Sequence, residues 1–172
     1  MARAVFAFSA DPVTLGHVDI VNRSSKLFDE IVIATVNSTG KPGEMFTGKQ
    51  RLEMCYEVFL NHPCIVDYKF INDTAVNLCK DVRAKFMIRG IRGYTDLDYE
   101  YKLAYLNRKI SGGAVETIFI PGEPELSMFS STTVRELIRL NVDTWKTMVP
   151  KCVEDCITTW RGNDEKTVLD KR

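Results

Sequence analysis

The feature that most constrains this chain is an alternation. Five short apolar segments, at 3–8 (RAVFAF), 30–37 (EIVIATVN), 64–70 (CIVDYKF), 85–90 (KFMIRG) and 116–122 (ETIFIPG), are separated by longer stretches with helical patterning. The short runs are rich in β-branched and aromatic residues and nearly continuous in hydrophobicity, as strands are when both faces of their sheet are covered. Between them, Leu52, Cys55, Tyr56 and Phe59 recur at helical spacing within 47–60, and Tyr99, Leu103, Leu106 and Ile110 do so within 99–110. A third stripe, Val134, Leu137 and Ile138, lies in 133–140, where Thr133 and Glu136 have capping-box spacing. The stripes are expected to be core. Such alternation predicts an α/β fold: a doubly wound, mainly parallel, five-stranded Rossmann-like sheet with helices on both faces. In sheets of this kind ligands gather at the carboxyl ends of strands, near the point where strand order reverses. Candidate functional residues are therefore those that directly follow a strand.

The 172 residues suit a single domain over 1–160, with a last helix opening at Pro150 and a polar, frayed tail at 161–172. Lys plus Arg and Asp plus Glu are both 23, so the chain lacks the basic excess of a nucleic-acid or membrane-surface binder. No apolar run approaches the roughly 20 residues of a membrane span. The start, MARAVFAFSADP, has neither the length nor the cleavage pattern of a signal peptide. Five cysteines without a C-x-x-C pair read as reduced thiols, and a cytoplasmic setting is expected.

Four clusters follow strands. After the first, Ser9-Ala10-Asp11-Pro12 leads to Thr14-Leu15-Gly16-His17, with Thr14 as the expected N-cap and His17 in the first helical turn. Exposed backbone N–H groups and the helix dipole favour an anion there, and an imidazole adds a donor that can follow charge on a phosphate. Gly16 would let a ligand approach the backbone closely. After the second strand comes Lys41, before Pro42-Gly43. After the fourth, Arg89 and Arg92 bracket Gly90 and Ile91, which suits two anionic groups bound close together. After the fifth, MFSSTTVRE (128–136) leads hydroxyls and backbone donors into another helix N-terminus. The chain has neither a P-loop nor a G-x-G-x-x-G fingerprint. The residues alone thus point to an α/β enzyme acting on a phosphate-rich substrate.

These motifs also resemble a known family. DPVTLGH resembles the T/H-x-G-H signature of the nucleotidyltransferase superfamily, and FSSTTVR resembles its I-S-S-T-x-x-R signature. IRGIRGYTDLDYEYKLAYLNRKI and KPGEMFTGKQRLEM resemble segments of bacterial-type phosphopantetheine adenylyltransferases, and the likeness runs from about residue 3 to about 158. The resemblance implies transfer of an adenylyl group from ATP to 4'-phosphopantetheine by direct in-line attack, with Mg²⁺ carried by the ATP phosphates. It implies catalytic roles for His17, Lys41 and Arg92, and substrate contacts from Ser9, Lys41, Ala75 and Arg89. It places the nucleotide against Ser9, Ala10, His17, Gly90, Ile91, Arg92 and Glu100, and against Leu126, Ser127, Met128, Phe129, Ser130, Ser131 and Thr132. Coenzyme A becomes a product-like ligand, and a homohexamer the expected assembly.

One departure stands out. The family usually reads Gly-Thr-Phe-Asp-Pro where this chain reads Phe8-Ser9-Ala10-Asp11-Pro12. Phe8 in place of glycine is expected to disfavour a positive φ and to hinder the approach of a phosphate, so that Phe8→Gly should tighten ATP binding or raise the rate. Alternatives remain open at this point: another phosphorylated acceptor such as nicotinamide mononucleotide, a silent paralogue that binds nucleotide or coenzyme A, or a subunit whose role is assembly.

Overall fold

The computed structural model describes residues 1–36 and 44–169, with the backbone alone at 95 and 163–169. Five strands, β1 (Arg3–Phe8), β2 (Glu30–Val36), β3 (Ile65–Ile71), β4 (Phe86–Ile91) and β5 (Glu116–Pro121), form one sheet. Their order is β3-β2-β1-β4-β5 and every neighbouring pair is parallel. The order reverses between β1 and β4, so the carboxyl ends of those two strands flank the crevice where such sheets take ligands.

The helices are α1 (Leu15–Ser24), α2 (Gly48–Phe59), α3 (Ala75–Asp81), α4 (Tyr94–Ser111), α5 (Ser131–Arg139) and α6 (Lys151–Leu169), with short 3-10 turns at Pro124–Leu126 and Asp143–Met148. Alternation along β1 divides the core. Ala4, Phe6 and Phe8 face a cluster that includes Val21 of α1, Met54 and Phe59 of α2, Val134 and Ile138 of α5, and Val153 and Ile157 of α6. Val5 and Ala7 face the opposite side, with Met87 of β4 and Val76, Leu78 and Cys79 of α3. The sheet is therefore covered on both faces, which is why its central strands read as continuous apolar runs.

Several sequence expectations shift. The α2 stripe is rotated: Arg51, Met54, Cys55 and Phe59 are buried, whereas Tyr56 is exposed. On α4 the expected core stripe faces outward, with Tyr99 62% and Leu106 51% exposed and Ile110 exposed as well. The third stripe holds, but α5 begins at Ser131, and its cap is Ser130, whose Oγ accepts from the Thr133 N–H at 3.0 Å. The helix α6 continues to Leu169, so the segment read as a frayed tail is helical that far. Helix α3, capped by Thr74, has too short an apolar pattern to announce itself in the sequence.

Candidate active site

The chain leaves β1 through Ser9 and turns sharply. Ala10, not Phe8, takes the left-handed conformation, at φ 51°. Phe8 stays in the extended strand, opposite Thr35 of β2, and its side chain is buried. The positive φ expected to be a difficulty for Phe8 thus never arises there. Alanine carries it at the cost of some strain, held by the surrounding structure.

Asp11 is what holds this turn. Its buried carboxylate accepts from the backbone N–H of Phe46 at 2.9 Å and of Met45 at 3.2 Å, and faces the Arg135 guanidinium at 3.3 Å. Arg135 also donates to the Asp11 carbonyl at 2.6 Å. Arg51, wholly buried on α2, donates to the carbonyls of Ser9 at 3.1 Å and Val36 at 2.9 Å. Asp11 and Arg135 stand in the quoted signatures, yet the sequence assigns none of the three a role. An arginine beside an apolar stripe ordinarily points to solvent, and nothing in the pattern tells of the carbonyls awaiting it. Asp11 did have a signal, a carboxylate between a strand and a helix N-terminus, but not one that separates an anchor from a surface turn.

Thr14 caps α1 and His17 sits in its first turn, as expected. The Thr14 backbone N–H donates to His17 Nδ1 at 3.0 Å, and the Thr14 hydroxyl lies 3.0 Å from the same nitrogen. A main-chain N–H can only donate, so Nδ1 is the acceptor and the neutral ring carries its proton on Nε2. Nε2 has no hydrogen-bond partner among the described residues. The ring stacks on Phe8 with centroids 4.5 Å apart and planes inclined by 26°. Burial first, and the positive charge of Arg92 second, push the imidazole pKa down to about 3. His17 is thus a neutral donor at the N-terminus of a ten-residue helix.

The second cluster approaches the same edge of the sheet. A Cβ on Gly90 would lie 3.0 Å from Ile20 Cγ1, so this glycine lets α1 close onto β4. Arg89, on the other face, forms a bidentate pair with Glu100 of α4, both contacts 2.6 Å, and its Nη1 donates to the Ala7 carbonyl at 2.9 Å. Arg92 is more exposed and its Nε donates to Asp96 at 2.9 Å. Ile91 ends β4 and its carbonyl accepts from the Gly122 N–H.

The segment from Leu126 to Thr132 meets α1 directly. A Cβ on Gly16 would lie 3.5 Å from the Phe129 carbonyl and 3.8 Å from that of Leu126, so the neighbour admitted at Gly16 is the chain's own backbone. Ser131 Oγ donates to the Pro12 carbonyl at 2.8 Å, and Thr132 Oγ1 accepts from Arg135 at 3.3 Å. Ser127 follows the 3-10 turn, and Met128 is exposed. Ser130 is engaged as the α5 cap. Ala75 stands at the first position of α3, beyond the carboxyl end of β3. Lys41 lies outside the described residues. The structure brings His17, the Arg89–Arg92 strand end and the Leu126–Thr132 segment to one edge of the sheet, while Arg89, Glu100 and Ser130 already have protein partners there.

Among the described residues no group of three or more His, Cys, Asp or Glu stands together to hold a metal ion. No described helix is long and apolar enough to cross a membrane. None of the five cysteines is in a disulfide.

A parallel sheet whose switch point presents a neutral histidine, a helix N-terminus and two arginines suits an enzyme that acts on phosphates, and the chain's relatives make it a nucleotidyltransferase. The comparisons agree. A cytidylyltransferase-like family profile matches residues 6–137. The phosphopantetheine adenylyltransferase of Flavobacterium psychrophilum is 39% identical over 154 residues, covering 89% of this chain and 98% of that protein. The one from Nocardioides sp. is 37% identical, covering 89% of this chain and 93% of the relative. A putative nicotinate-nucleotide adenylyltransferase from Vibrio parahaemolyticus shares the fold, with a TM-score of 0.67 at 15% identity over 92% of this chain and 93% of that one. The chain belongs to the cytidylyltransferase-like family and, within it, to the phosphopantetheine adenylyltransferases.

Proposed function

We infer that the chain transfers the adenylyl group of ATP to 4'-phosphopantetheine, giving dephospho-coenzyme A and pyrophosphate. An oxygen of the acceptor phosphate attacks the α-phosphorus of ATP. As that P–O bond forms, the bond from the α-phosphorus to the bridging oxygen breaks, and pyrophosphate leaves with the electron pair. No enzyme nucleophile is required, so catalysis reduces to positioning and to donors aimed where charge develops.

The observation that carries this reading is the His17 geometry. Its Nδ1 is occupied by the Thr14 N–H, which leaves an Nε2–H donor at a helix N-terminus. In this reading His17 and Arg92 act on the α-phosphate and the charge leaving it, joined by Lys41. Arg89, with Lys41, Ser9 and Ala75, receives phosphopantetheine. Gly90, Ile91, Glu100 and the Leu126–Thr132 segment receive the nucleotide. The donors at the crevice suit phosphates rather than a metal, so Mg²⁺ would arrive with the ATP phosphates, where it would neutralise their charge. Coenzyme A, which retains much of the product, is a further ligand of the same crevice.

The outward apolar residues of α4 support a homo-oligomer, the hexamer of the resemblance. Five free thiols accord with a cytoplasmic setting. The test is pyrophosphate release from MgATP with and without 4'-phosphopantetheine, with nicotinamide mononucleotide as control acceptor. Release that depends on phosphopantetheine is expected. Release only with the control acceptor would overturn the substrate, and release with neither would overturn the activity.

A further inference from the structure

Three aromatic rings lie in series at the end of β1. Phe6 and Phe8, two residues apart and therefore on one face of the strand, stack with centroids 4.5 Å apart and planes 24° from parallel. The Phe8 ring in turn stacks on His17 at 4.5 Å, while Phe6 and His17 are 6.4 Å apart and tilted. Phe6 and Phe8 belong to the core cluster that includes Val21 of α1 and Val134 of α5, and Phe8 is almost wholly covered. The imidazole is thus held at two places: its Nδ1 edge by the Thr14 N–H, and one of its faces by the Phe8 ring.

We propose that Phe8 is a positioning residue for His17, its ring a flat wall that fixes the imidazole plane and so fixes where the Nε2 proton points. The proposal rests on the reading of His17 as the donor to the reacting phosphate. A hydrogen bond to Nδ1 fixes one point of the ring but leaves the ring free to rock about the axis through that bond. Stacking removes that freedom, because aromatic pairs prefer offset-parallel contact at this separation. The wall also keeps water off that face, so that the ring does not trade its contact with Thr14 for a solvent one. With glycine at this position the face would be open and the ring would need another constraint. The expectation that Phe8→Gly raises the rate is therefore reversed: the chain is built around the phenyl ring, and its loss should lower turnover.

The test uses Phe8→Leu, which keeps an apolar side chain of similar volume but offers no flat face, in the full-length protein. With the stacking contribution lost, kcat is expected to fall about tenfold while KM for ATP and for 4'-phosphopantetheine stays within about twofold. Phe8→Tyr, which restores the flat face, should recover most of that loss. In a His17→Ala background Phe8→Leu should change kcat no further, a non-additivity that a general effect on folding would not produce. Equal losses with and without His17, or a Phe8→Leu enzyme with unchanged kcat, would overturn the proposal. Should Phe8→Leu prove insoluble, Phe8→Met carries the same comparisons. The ring can also be followed without turnover, by the nitrogen chemical shifts of His17 in the resting protein. The wild type should show one sharp Nε2–H tautomer, and the variant an averaged signal. Unchanged shifts in the variant would sink the inference. If the wild type releases no pyrophosphate with phosphopantetheine yet the shifts respond as described, the substrate assignment fails and the positioning stands.

Discussion

Arg89 and Glu100 meet face to face, Nε and Nη2 of the guanidinium each donating to one carboxylate oxygen at 2.6 Å. A third bond, from Nη1 to the Ala7 carbonyl, ties the pair to the central strand. Every nitrogen of Arg89 thus has a protein partner, and the arginine has one orientation in which to meet a phosphate.

Removing Glu100 should therefore act on binding as well as on stability. Glu100→Ala leaves a mostly buried cation without its carboxylate, which should cost about 2 kcal/mol on unfolding in urea. KM for 4'-phosphopantetheine should rise by about tenfold, the equivalent of one lost orienting contact, and KM for ATP should rise with it because Glu100 also receives the nucleotide. Glu100→Gln, with a single acceptor oxygen, should fall between. A destabilised variant with unchanged KM would show that the pair is structural and that Arg89 does not hold the acceptor.

His17→Ala is expected to leave the fold intact and to lower kcat by on the order of 10²–10³, with KM for both substrates little changed. That pattern marks an interaction made mainly in the transition state. A variant whose KM rises while kcat holds would instead place His17 in ground-state binding.

Asp11 should be the most sensitive of the residues to which the sequence assigns no role. Its carboxylate binds two backbone N–H groups and lies 3.3 Å from Arg135. Asp11→Ala strands that guanidinium and both N–H groups in a dry site, at an expected cost of about 3–5 kcal/mol. Asp11→Asn, which keeps the shape and one acceptor oxygen, should cost clearly less. Chemical denaturation of the two variants gives the comparison, and equal losses would mean that shape rather than charge anchors the turn.

The sheet was legible because its pattern is uniform. Each strand is a continuous apolar run, and parallel pairing on two covered faces is the arrangement that requires such runs. The crevice was legible too, since the carboxyl end of a strand is known once the strand is. What failed has a common cause: helical periodicity reports that a face is apolar, not what covers it. On α2 the apolar periodicity runs through Tyr56, whereas the buried side contains Arg51, whose guanidinium finds backbone carbonyls rather than water. On α4 the stripe through Tyr99, Leu106 and Ile110 is left exposed by the described residues. Phe8 shows the same limit. As a replacement for glycine it suggests a hindered positive φ, whereas in the fold Ala10 takes the positive φ and the Phe8 ring lies against His17.

The protonation of His17 leads to a prediction about stability with a definite sign. Burial and the nearby Arg92 lower its pKa to about 3, against 6.5 for the free side chain. Between those values the unfolded chain binds a proton that the folded protein refuses, so stability is lost as pH falls from about 6.5 towards 3 and is unaffected above. In urea titrations at pH 7.5 and pH 5, the wild type should lose about 1–2 kcal/mol more on acidification than His17→Gln, which cannot titrate. The same shift means that the imidazole stays a neutral donor through the physiological range. Its ring proton resonances should therefore not move between pH 8 and about 5, with assignment secured by a His62→Gln control. A His17 signal that titrates near neutrality would mean that the Phe8 face and the Thr14 cap leave the ring open to water. In that case a cation, not a neutral donor, would meet the phosphates.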